Sequence, residues 1–100
     1  MSVTPIPGLA SQVTTGGTPV NAVGPLPNGG VITNPSLAAD QGLAAVEVLY
    51  VNPVSAAGLV ANGTTFALQP GQSWYIIPGQ ATNTSVNAAS NDHKFTVVSW

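Results

Sequence analysis

One hundred residues carry four charged side chains, Asp40, Glu47, Asp92 and Lys94, with one histidine, His93, and no cysteine. Ordinary soluble domains are about 25% charged. A net charge of -2 with a single lysine cannot neutralise a phosphate backbone, which excludes nucleic acid as a partner, and it gives an anionic membrane nothing to attract.

This length fits one domain. Charge ordinarily keeps monomers apart, so a surface this neutral predicts a homo-oligomer or a lattice component. The lack of cysteine removes disulfides and thiolate chemistry. The opening "MSVTPIPGLASQV" has no basic stretch and is broken by Pro5 and Pro7, unlike a secretory signal. No apolar run approaches the roughly 20 residues that span a bilayer. Synthesis in a cytoplasm is the expectation.

Residues 1–30 hold Pro5, Pro7, Pro19, Pro25 and Pro27, with Gly16-Gly17 and Gly29-Gly30 as further breaks. Proline is unsuited to helix interiors and central strands, so this stretch reads as an extended arm preceding a domain over 31–100. Val3, Ile6, Leu9, Val13, Val20, Val23 and Leu26 stud it with apolar side chains, and charge is missing. Such an arm is expected to lie in a groove, on its own body or on a neighbour. A flexible tail is more often rich in charge.

From residue 31 the chain reads as strands. "VIT" at 31–33 stops at Asn34-Pro35, and 37–45 holds at most a helical turn because of Gly42. "AVEVLYV" at 45–51 is β-branched and aromatic and closes at Asn52-Pro53. Both of its faces are largely apolar, which predicts a central strand or one facing a partner. Asn62-Gly63 predicts a type I′ hairpin joining 58–61 to 64–68. Pro70-Gly71 predicts a type II turn, followed by "SWYII" at 73–77, stopped by Pro78-Gly79. "TSVNA" at 84–88 sets Val86 and Ala88 against polar neighbours, and "KFTVVSW" at 94–100 forms the last strand. Short strands at this spacing predict an all-β fold, a small antiparallel β-sandwich or jelly roll.

Asp92-His93-Lys94 is the one cluster of ionisable residues. A general base needs a nucleophile and an orienting partner, and a metal needs about three or four ligands. One histidine, no cysteine and three scattered carboxylates do not complete either. The cluster therefore reads as a polar turn entering the last strand, and no catalytic residue, cofactor or metal ligand is expected. Asn62-Gly63-Thr64 and Asn83-Thr84-Ser85 fit the glycosylation pattern and read as turn and strand residues. Strand alternation puts Trp74 and Tyr75 on opposite faces, so at least one is expected in the core. The candidate contact residues are Val3, Ile6, Leu9 and Val13 of the arm, with Tyr75 and Trp100.

The segment "FALQPGQSWYIIPGQATNTSVNAASNDHKFTVV", residues 66–98, resembles the C-terminal part of small tailed-bacteriophage virion proteins of the capsid decoration or cement type. The resemblance covers about a third of the chain and rests on its order of strands and Pro-Gly turns. It implies a protein of the virion surface, commonly a homotrimer, whose partner is the major capsid protein shell. No site residue is carried over, because the resemblance includes no site motif. The expected function is non-enzymatic bracing of a phage capsid. The alternative is a small ligand- or carbohydrate-binding β-sandwich module of a phage tail or cell surface.

Overall fold

The computed structural model describes residues 6–7, 12–23, 29–76 and 84–99. In chain order the described elements are β1 (Ile6–Pro7), β2 (Gln12–Val13), β3 (Val20–Val23), β4 (Gly30–Thr33), α1 (Ala38–Gln41), β5 (Leu49–Asn52), β6 (Phe66–Leu68), β7 (Ser73–Ile76), β8 (Thr84–Asn87), β9 (His93–Lys94) and β10 (Thr96–Ser99). They form one four-stranded sheet in the order β1-β10-β4-β7, a second in the order β3-β8-β5-β6, and a small β2-β9 pair. Every pairing is antiparallel. The expected all-β class is what the chain adopts, in a sandwich-like arrangement.

The first sheet separates its faces by alternation. Val97, Ile32 and Trp74 stand in one cross-strand row and Val98, Val31 and Tyr75 in the next. Side chains on successive residues point to opposite faces, and Ile32 is fully buried while Tyr75 is exposed. In the second sheet Val51 lies opposite both Val86 and Phe66, and Leu49 opposite Leu68. Trp74 of the first sheet meets Phe66 of the second edge-on, with ring centroids 5.0 Å apart and planes at 61°. Edge-on contact is a favoured aromatic geometry, and here it joins the two layers. Val13, Ala22, Ile32, Leu49, Val51, Val86 and Phe95 fill the core between them.

The described parts of residues 1–30 belong to this body. β1 pairs with β10, β2 with β9 and β3 with β8. Prolines punctuate the stretch, but Val20–Val23 contains none and has the apolar, β-branched character of a strand. β3 runs along the sheet edge with an irregularity between Asn21 and Val23, and Ala22 there is buried. Val13, expected as an arm contact, is fully buried in the chain's own core.

Three local expectations are corrected. Asn62-Gly63 does not make a type I′ hairpin. Gly63 lacks the positive φ found at Gly17, Gly29, Gly42 and Gly71, and β6 pairs with β5 rather than with 58–61. The strand expected over 45–51 begins only at Leu49. Glu47 has its backbone N–H and C=O committed to the side chains of Gln41 and Asn34, which leaves neither group for a ladder. β8 alternates apolar and polar side chains as expected, but its polar side is covered too, for all four of its residues are buried. The last strand divides at Phe95, which turns into the core. The Pro70-Gly71 turn is as expected, with φ 86° at Gly71 and Gln72 N–H donating to the Gln69 carbonyl at 2.9 Å. Pro78-Gly79 lies outside the described residues.

Candidate functional site

Two polar assemblies organise the structure, and one of them presents an apolar surface. The first is a buried cluster built on Asn34, which follows β4. Its amide Nδ2 donates to the carbonyls of Glu47 and Leu68, both at 2.9 Å. Those two bonds orient the amide and leave Oδ1 as an acceptor. Gln41 Nε2 donates to that oxygen at 3.0 Å, and His93 Nε2 lies 3.0 Å from it. Because Oδ1 has no proton to give, His93 Nε2 carries the N–H and Nδ1 carries the lone pair. Gln41 reaches this position from α1, whose last turn closes at Gly42 with φ 75°.

His93 is fully buried. The sequence reading placed it in a polar turn, and the structure corrects this. Asp92 does turn the chain, with φ 60°, and His93 then points inward beside Asn34. Burial lowers the imidazole pKa below its usual value, while the Glu47 carboxylate acts in the opposite direction. Burial thus favours the neutral ring. Glu47 itself is half-buried and accepts a hydrogen bond from Ser90 Oγ at 2.6 Å.

The second assembly holds the connection between β5 and β6, residues 53–65. Asn52 Nδ2 donates to the hydroxyls of Thr64 and Thr65, both at 2.9 Å, and its Oδ1 accepts the N–H groups of Val54 and Ser55 at 2.9 and 2.8 Å. From β8, Ser85 Oγ accepts the Ala57 N–H at 3.0 Å and Asn87 Nδ2 donates to the Ala57 carbonyl at 2.9 Å. Asn62 closes the far end through its side-chain oxygen, which accepts the N–H groups of Thr64 and Thr65 at 3.0 and 2.9 Å. The connection lies over the outer face of the second sheet. That placement explains why Ser85 and Asn87, on the side of β8 away from the core, are buried.

Thirteen residues separate β5 from β6, a length at which connections without secondary structure are uncommon and often functional. This one is fixed at several points and still shows apolar side chains to solvent. Val54 is 75% exposed and Val60 73%, and Leu59, the neighbour of Val60 in the chain, is exposed as well. A depression of about 250 Å³ opens next to Val54, lined by Pro19, Asn21, Ser55, Ala56 and Ser85. No charged side chain lies in 53–65 or in that lining.

The described contact residues expected from sequence stand apart from one another. Tyr75 is 69% exposed on β7, an edge strand of the first sheet, while Trp74 faces inward, as alternation required. Ile6 pairs with Ser99 in β1, at the other edge of that sheet. Val13 is core. Val3, Leu9 and Trp100 lie outside the described residues. Val54 and Val60 were not singled out from sequence. Their one signal in the sequence is the length of the stretch between Asn52-Pro53 and the next aromatic strand.

Compared with protein families, with curated proteins and with solved structures, the chain matches none.

Proposed function

We propose that this chain is a non-enzymatic structural protein of a tailed-phage virion, a decoration or cement protein that binds the outside of the capsid shell. The observation that carries this reading is the pinned 53–65 connection with Val54 and Val60 turned outward. Removing apolar area from water is favourable by about 25 cal/mol per Å². A loop already held in place loses little further freedom on binding, so more of that gain appears as affinity. The absence of charge from the loop and its neighbouring depression avoids the cost of desolvating ions. Self-association into a closed homo-oligomer, a trimer on the resemblance, fits the same low charge.

An antibody raised against the chain should label the shells of intact phage particles purified from the source culture. Val54→Asp with Val60→Asp should leave the circular dichroism of the purified protein unchanged and abolish its co-sedimentation with shells. Labelling confined to the tail, or shell binding untouched by the double substitution, would refute the reading. Tyr75 supports a second reading, because an exposed ring on a sheet face is suited to stacking on a sugar. Under that reading the isolated chain is a monomer that binds a glycan array and loses binding in Tyr75→Ala.

A further inference from the structure

The buried histidine has no part in the surface just described, and its surroundings are arranged so that a second proton has no place. Its Nε2–H is committed to Asn34 Oδ1. Its Nδ1 is buried with no hydrogen-bond partner among the described residues. Asn34 is already saturated by Glu47, Leu68 and Gln41, so the ring cannot exchange one acceptor for another. A proton on Nδ1 would add a buried donor without an acceptor and a buried charge, both unfavourable.

The charges that face this ring are few. Glu47 lies within electrostatic reach from the segment before β5. Asp92 and Lys94 flank the ring on its own strand, and Asp40 is on α1, which packs against β9. The β2 residues Gln12 and Val13 bring no charge. Glu47 opposes the effect of burial without overcoming it, and its carboxylate is also engaged with Ser90.

His93 also sits at one of the two shortest pairings among the described residues, each of two residue pairs. Among the described residues β9 pairs only with β2, in the register Gln12 to Lys94 and Val13 to His93. The seam continues through Asp92 N–H to the Thr14 carbonyl at 3.2 Å and Gly16 N–H to Asn91 Oδ1 at 2.8 Å. Short pairings of this kind open locally at lower free energy than central strands.

We propose that the Asn34–Gln41–His93 cluster is an acid-sensitive latch, in which protonation of His93 favours a locally open state with β9 withdrawn from Asn34 and β2 parted from β9. The sign follows from linkage. The open state binds a proton with an ordinary affinity, near pH 6.5, and the closed state binds it less well. Closure is therefore fully favoured above that pH and weakens as pH falls below it, by up to about tenfold in the opening constant per pH unit.

Amide hydrogen exchange on the full-length chain between pH 7.5 and 5, corrected for intrinsic exchange, tests this. The Asp92 amide reports the seam, and the Val86 amide reports the central sheet. Below pH 6.5 the protection of Asp92 should fall by up to about tenfold per pH unit while that of Val86 holds. His93→Gln, which keeps a neutral donor, should remove the pH step. Should that variant not fold, the ring resonances of the wild-type chain decide, because His93 should titrate below its ordinary midpoint and in parallel with loss of Asp92 protection. Flat Asp92 protection, equal loss at Asp92 and Val86, or a step that survives in His93→Gln would overturn the latch.

Discussion

Asn34 and His93 stand 59 positions apart in the chain and meet at 3.0 Å through Oδ1 and Nε2. Around that contact Asn34 ties together β4, the start of β5, the end of β6 and β9, since its amide also donates to the carbonyls of Glu47 and Leu68. Asn34→Ala would take the side-chain donor from the buried Leu68 carbonyl and the acceptor from the buried His93 Nε2–H, whereas Gln41 Nε2 would keep the carbonyls of Pro35 and Glu47. Each unsatisfied group costs about 1–3 kcal/mol, and relaxation recovers part of the sum. A loss of at least about 2 kcal/mol in urea denaturation is expected on that basis. A loss under about 1 kcal/mol, the net worth of a single hydrogen bond, would show that the cluster holds little together.

Asn52→Ala should act on the loop before it acts on the sheets. The side chain binds two N–H groups and two threonine hydroxyls of residues 54–65, while the β5 ladder uses backbone alone. Limited proteolysis should cut the variant within 53–65 under conditions that leave the wild-type chain intact. Resistance equal to wild type would mean that Ser85 and Asn87 suffice to hold the connection.

Gly16→Ala tests the turn that brings β2 and β3 onto β8 and β9. A Cβ at Gly16 would overlap the backbone carbonyl of Ala89, and backbone cannot move aside as a flexible side chain does. Overpacking of this kind destabilises by about 1–3 kcal/mol. The thermal midpoint should fall accordingly, whereas Gly63→Ala, with no atom near its Cβ, should leave it almost unchanged. Equal effects of the two substitutions would contradict the packing described.

Deleting residues 2–14 removes β1, β2 and the buried Val13. Burying one such side chain is worth about 1.5–3 kcal/mol, and loss of the two strand pairings adds to this. The truncated chain should unfold at a clearly lower urea concentration. An unchanged midpoint would mean that the leading segment contributes nothing to the fold.

The parts legible in the sequence are those decided by a residue and its immediate neighbours. Pro70-Gly71 specifies its turn through a fixed φ and a permitted positive one. Val31, Ile32 and Thr33 form a strand that stops at Asn34-Pro35, and alternation alone separates Trp74 from Tyr75. What escaped is decided by partners distant in sequence. Glu47 looks like part of a strand until Gln41 and Asn34 engage its backbone. Val54 and Val60 look like interior residues until Asn52, Ser85 and Asn87 fasten their loop across the outside of a sheet. His93 looks solvated because its neighbours are Asp92 and Lys94, and the acceptor that buries it lies beside β4. Side-chain amides substitute for backbone at each of these places, and no local pattern announces which amide will do so.

The pairings of β1 with β10, β2 with β9 and β3 with β8 are nested, the first strand with the last and so inward. This bears on how the molecule is made. While residues 84–99 are still absent during synthesis, none of β1, β2 or β3 has its partner, and β4 lacks β10 on one side. Pairings that join distant parts of a chain come at a high loop-closure cost and form slowly. The molecule should therefore fold late and in one cooperative step once its C-terminal strands are present, in milliseconds to seconds rather than microseconds. Until then its apolar early segments remain unpaired and open to association with other nascent copies.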